Sequence, residues 1–163
     1  MLPATLRALV TAAEPVESIT TMEAAADSRW LDAVAIAVER PREALGCAYL
    51  LGYVVECRLK AALGRVKGIL PAADLYAAVI RPLAVADRHN VKALLRECLA
   101  GREPAHPPLS VVQESEWLLR VDAVADSHAV NYRYKSYALS ILALRDLYTD
   151  VEWIVDHIEE LWT

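Results

Sequence analysis

Residues 136–163 read SYALSILALRDLYTDVEWIVDHIEELWT, and their apolar side chains return at intervals of four and three. The series is Tyr137, Ile141, Leu144, Tyr148, Val151, Val155, Ile158 and Trp162. Alternating steps of four and three keep all of them on one face of an α-helix. A stripe of that spacing packs against other helices in the left-handed geometry of bundles. The same rhythm recurs upstream at Leu45, Ala48, Gly52, Val55, Leu59 and Ala62. That second segment is apolar on its adjacent faces as well, which predicts the most buried helix of the protein.

Working outward from these two segments, the punctuation divides the chain into helices. Thr20 and Glu23 form a capping-box pattern ahead of a helix over 21–39. Pro41 suits the first position of the next helix, which spans 41–63 with Gly64 placed to end it. A Pro-bounded stretch over 71–80 reads as a short helix, and Asp87 as the N-cap of another that stops at Gly101. Pro104, Pro107 and Pro108 make the following segment a loop, after which Ser110 and Gln113 supply a second capping box. That helix runs to about 126, an irregular stretch covers 128–135, and Ser136 opens the last helix. No sustained alternation of apolar and polar residues marks a strand. The expected fold is all-α: an antiparallel up-and-down four-helix bundle with short extra helices, built from residues 21–163 behind an N-terminal extension over 1–20.

Composition narrows the class of protein. The chain has 163 residues, 56% of them apolar, which suits one compact domain and excludes intrinsic disorder. The longest run without a charged side chain, Ala44 to Val55, is far short of the roughly 18–20 residues of a membrane span. Arg7 interrupts the first apolar stretch with nothing basic before it, unlike a secretory leader. Cys47, Cys57 and Cys98 are odd in number and widely spaced, which reads as buried thiols of a reduced, cytoplasmic protein with no metal site and no cofactor. A net charge of −5 argues against a generic polyanion binder. Charge is nevertheless uneven. Arg58, Lys60, Arg65 and Lys67 form a basic cluster, whereas 146–160 carries Asp146, Asp150, Glu152, Asp156, Glu159 and Glu160. Such segments can steer partners or serve simply as solvated faces.

Three places combine residue types that carry chemistry. On the second helix Tyr49, Tyr53, Glu56 and Lys60 run beside the core face, with Glu56 one turn ahead of Lys60 in the favourable order for an ion pair. A carboxylate in so apolar a helix requires a partner, and Glu56 serves either a polar pocket or a structural pair. His89, in the run DRHNVKALL over 87–95, can cap the helix, donate to a carboxylate or touch a ligand. Asn131, Tyr132, Arg133, Tyr134 and Lys135 interleave cations with aromatics, a pattern that can stack bases and hold phosphates or lock a loop onto the bundle.

These three places, in this order, resemble the motifs of HEPN-domain proteins. GYVVECRLKAAL over 52–63 is similar to the family's GYxxExxLKAL helix, HNVKALL over 89–95 to its HxLxxLL segment, and Arg133-Tyr134 to its RY element. The resemblance covers roughly 30–157. It implies an all-α bundle, often a homodimer, in toxin–antitoxin, defence and RNA-processing systems, at times beside a nucleotidyltransferase-like partner protein. Active members of the family are metal-independent RNases that use an arginine followed, after four to six intervening residues, by a histidine. Here Arg81 and His89, like Arg120 and His128, have seven residues between them, Arg102 and His106 have three, and Arg133 has no histidine downstream within reach. The expectation is a non-catalytic module that dimerises and binds a partner protein or a nucleotide- or RNA-type ligand through Tyr53, Glu56, Lys60, His89, Arg133 and Tyr134. The alternative is a toxin-like endoribonuclease with an altered site, Arg133 working with Tyr137 or His128.

Overall fold

A computed structural model describes residues 18–39, 44–102, 106–128 and 139–163. Among them every regular element is helical. We label the helices α1 (Ile19–Glu39), α2 (Ala44–Lys67), α3 (Ala72–Leu75), α4 (Val91–Arg102), α5 (Val111–His128) and α6 (Ile141–His157). A wider turn over Tyr76–Ile80 extends α3, a tight turn over Val85–Asp87 leads toward α4, and another over Ile158–Leu161 prolongs α6.

The helix starts follow local hydrogen-bond chemistry. In α1 the cap is Ser18: its hydroxyl accepts from the Thr21 amide at 3.3 Å, and the Thr21 hydroxyl accepts from the Ser18 amide at 3.0 Å. The expected Thr20–Glu23 box is therefore replaced, because the Glu23 carboxylate instead takes Arg65 of α2 with contacts of 2.7 and 2.8 Å. Ile19 is also core, so the helical region starts inside the predicted extension. In α4 the cap is Asn90, whose side chain accepts from Lys92 at 3.0 Å, and not Asp87. Ser110 and Gln113 do form the box read from the sequence, with exchanges of 3.0 and 3.3 Å. Ser140 caps α6 through the Ala143 amide at 3.1 Å. The predicted start at Ser136, with Tyr137, lies outside the described residues.

Helix α2 continues past Gly64 to Lys67 and ends at Gly68, whose φ of +67° is the left-handed conformation a Schellman turn requires. The Gly68 amide then reaches the Arg65 carbonyl at 3.1 Å and the Ile69 amide the Gly64 carbonyl at 2.8 Å. Gly64 is needed for a different reason. A Cβ there would lie 2.6 Å from Ile19 Cγ2 and 2.8 Å from the Ile69 carbonyl oxygen, so only glycine lets α1 and the chain after α2 approach.

Packing centres on α2, which touches α1, α4, α5 and α6. Fourteen of its 24 residues are buried, spread around the helix rather than on one stripe, as its all-round apolarity predicts. In α6 the buried residues are Leu144, Leu147, Val151 and Ile154, continued by Ile158 and Leu161. This corrects the predicted stripe by part of a turn: Ile141 is 69% exposed, and Tyr148, Val155 and Trp162 sit at the margin. Both stripes share Leu144, Val151 and Ile158 and have the same spacing, so periodicity alone does not choose between them. Ion pairs between Asp27 and Arg58, and between Glu23 and Arg65, set α1 antiparallel to α2. The Trp117–Trp153 contact and the 2.7 Å Arg120–Asp150 pair do the same for α5 and α6. Helix α4 runs parallel to α2, with the Cys98 thiol on the Leu59 carbonyl and Gly101 against Val66.

Arg102, 7% exposed, ties the end of α4 to the C-terminal turn. Its Nε donates to the Pro107 carbonyl at 2.9 Å, and its Nη1 to the carbonyls of Glu160 at 2.5 Å and Thr163 at 3.3 Å. A guanidinium spent on three backbone carbonyls satisfies groups that a helix end leaves without partners.

Gly64→Ala forces a methyl group into backbone and is expected to cost about 1–3 kcal/mol in urea unfolding. Gly46→Ala, where nothing lies within 4 Å, serves as the control and is expected to be neutral or stabilising. Equal stability of Gly64→Ala and the parent chain would contradict the close approach.

Candidate functional site

Glu56 stands in the middle of α2 and is 4% exposed. Burying a carboxylate is costly unless charge and hydrogen bonds replace the lost water. Two side chains do so here on one oxygen: Lys60 Nζ lies 2.7 Å from Oε1, and His89 Nδ1 lies 2.8 Å from the same atom. Lys60 comes from the next turn of α2, and its side chain is 15% exposed. His89 arrives from the turn before α4, 33 positions along the chain.

That turn is held by its own backbone and by Arg88. The Asn90 amide donates to the Asp87 carbonyl at 3.1 Å, while Arg88 donates to the carbonyls of Leu83 at 3.3 Å and Arg81 at 2.8 Å. His89 thus sits just ahead of the helix, not in its first turn as the sequence suggested. Arg88 escaped the sequence reading because its partners are backbone carbonyls, which no residue pattern marks.

The contact fixes what the imidazole can do. A carboxylate accepts only, so Nδ1 carries the hydrogen in the neutral ring and Nε2 keeps its lone pair. The His89 side chain is 69% exposed, so a ring held at one nitrogen remains accessible. With the Lys60 charge balanced by Glu56, the cluster is neutral with neutral His89 and gains a positive charge on protonation. It can accept a hydrogen bond in the first state and pair with an anion in the second.

Tyr53 precedes Glu56 by three positions on α2. Its phenol is pushed up to about 12, first by the neighbouring Cys57 sulfur, then by burial and by Glu56, so it is a protonated donor at neutral pH. Burial raises the thiols of Cys57, Cys47 and Cys98 as well, as expected of apolar packing residues. Among the described residues no cluster of three or more His, Cys, Asp or Glu could hold a metal ion. Arg133 and Tyr134 lie outside the described residues, as do Tyr137 and the side chain of His128. The structure therefore brings together Glu56, Lys60 and His89, with Tyr53 alongside.

The predicted basic cluster is largely neutralised. Arg58 pairs with Asp27 and Arg65 with Glu23, which joins α2 to α1, and Lys60 pairs with Glu56 within α2, so three of its four charges are balanced. Arg65 also lies 5.1 Å from the Trp162 ring, over its face. On the acidic side, Asp150 takes Arg120, and Glu160 accepts from the Trp117 indole at 3.3 Å.

No family model matches the chain, and neither a curated protein nor a solved structure matches it.

Glu56→Gln strands Lys60 in a largely buried position and is expected to lower stability by about 3 kcal/mol. Glu56→Gln combined with Lys60→Met removes both charges and is expected to recover about 1–2 kcal/mol of that loss. Strictly additive losses in urea titrations of the single and double variants would contradict the pairing.

Proposed function

We propose that the chain is a non-catalytic, HEPN-like helical module that dimerises and binds a partner protein or a nucleotide- or RNA-type ligand. The reading rests on one observation, the 2.8 Å contact that joins His89 to the buried Glu56 across 33 positions. Two of the segments that resemble HEPN motifs supply that contact, and it leaves an accessible imidazole beside Lys60 and Tyr53. A phosphate is a suitable guest because a protonated imidazole offers it charge and a directed donor together. No Gly-rich loop is available for the purpose, so side chains hold it. In this reading α1, α2, α5 and α6 form the antiparallel four-helix bundle over 21–163, and α4 carries the ligand-facing turn against it. Arg133 and Tyr134 complete the site, and a second copy or a nucleotidyltransferase-like protein provides the assembly. A cytoplasmic toxin–antitoxin or defence role follows from the resemblance.

The test uses the purified full chain. Light scattering after size exclusion is expected to give a dimer mass. Equilibrium titration with ATP, AMP and a short single-stranded RNA is expected to show saturable binding, weakened about tenfold by His89→Ala, the loss of one charge-assisted hydrogen bond. The RNA is expected to remain intact in EDTA. Absence of binding by every probe, or binding indifferent to His89, would contradict the module. RNA cleavage in EDTA that disappears in Arg133→Ala would establish the endoribonuclease reading in its place.

A further inference from the structure

On the side of α2 opposite Glu56, a cleft of about 230 Å³ opens between α1, α2 and α6. Positions 54 and 58 are separated from 56 and 60 by two residues, or about 200° around the helix, so the cleft and the Glu56 cluster are separate places. Val54 and Val155 give it an apolar lining, and Trp30 contributes an indole whose ring lies 4.7 Å from that of Tyr148. The polar lining is Asp27, Arg58, Glu152 and Asp156, three negative charges against one positive. Arg58 spends its charge on Asp27. Neither Glu152 nor Asp156 has an ion-pair partner among the described residues, and both are exposed.

Their placement works against helix stability. Glu152 and Asp156 are like charges one turn apart on α6, an arrangement that costs a helix a few tenths of a kcal/mol. Asp156 also lies in the last turn of α6, where the helix dipole disfavours an anion. Local stability gives no reason for two carboxylates there without an ion-pair partner among the described residues, whereas a cationic guest in the cleft gives one. Size points the same way. Pockets for drug-sized ligands run from about 300 Å³ upward, so this cleft admits one side-chain-sized group rather than a nucleotide.

We propose that the cleft binds an organic cation, an alkylammonium or guanidinium group, between the Trp30 indole and the carboxylates of Glu152 and Asp156. The aromatic wall and the net negative charge of the cleft's lining favour such a group over a neutral one of the same shape. Two sources supply this chemistry: a free amine, or a Lys or Arg side chain of a partner protein.

Calorimetric titration of the full chain at low salt with agmatine and with an amidated arginine dipeptide tests the proposal, with n-butylurea as the neutral control. Saturable 1:1 binding of at least one cation is expected, with none by n-butylurea. The double variant E152Q/D156N is expected to weaken it at least about tenfold, and Trp30→Leu by about threefold to tenfold. Removing two repelling surface charges does not threaten the fold, so the double variant reads binding alone. A tighter dipeptide assigns the source to a protein side chain, and tighter agmatine to a free amine. No saturable cation binding, equal binding of n-butylurea, or affinity unchanged in both variants would overturn the proposal. None of these results bears on the His89 surface, which is tested with phosphate ligands on the other side of α2.

Discussion

A buried carboxylate sets the terms for the middle of this protein. Helix α2 is packed by four other helices, and Glu56 lies in it at 4% exposure. Among the described residues Glu56 and Arg102 are the charged side chains buried to this degree. The interior accepts Glu56 because Lys60 and His89 both reach its Oε1, within 2.7 and 2.8 Å. Lys60 is available from the same helix at no topological cost. His89 is not, and its contact requires the turn after Val85–Asp87 to lie against the centre of α2. From there α4 runs alongside α2, with Cys98 beside Leu59 and Gly101 beside Val66.

The rest of the fold relies on the same device, charge used between elements rather than on a free surface. Glu23–Arg65 and Asp27–Arg58 fix the register of α1 on α2, and Arg120 joins α5 to Asp150 of α6. Exposed ion pairs of this kind contribute little energy one by one, about 0–1 kcal/mol, but they distinguish one register from the next. Around Arg120 the tryptophans add directional packing: Trp117 meets Trp153 edge-on at 5.2 Å, and Trp153 stacks on His157 at 4.2 Å. Arg102 closes the far end by collecting backbone carbonyls from two segments.

Fold class was legible in the sequence because helical periodicity survives any choice of partner. The all-round apolarity of the helix read over 41–63 was enough to single out the most buried helix, and Ser110–Gln113 was a local signal that nothing distant overrides. Where distant contacts compete, local signals failed. Glu23 could have capped α1 but is drawn away by Arg65, and Gly64 looked like a terminator because a sequence does not show which helix needs to come close. The α6 stripe was ambiguous at its root, since two faces share the same three residues. In the site, the Glu56–Lys60 pair followed from i,i+4 spacing, and His89 entered through motif order. Arg88 and Arg102 left no trace, because a side chain that binds backbone carbonyls far away has no spacing rule.

The central claim is that Glu56 holds the His89 ring by Nδ1, and long-range nitrogen–proton correlation spectra of the histidine side chains read this directly. The account predicts that at a pH where the ring is neutral, His89 is the Nδ1–H tautomer with an unprotonated Nε2, and that Glu56→Gln shifts it toward the ordinary solvent-favoured mixture. A His89 ring in the Nε2–H form in the parent chain, with a spectrum unchanged by Glu56→Gln, would contradict it.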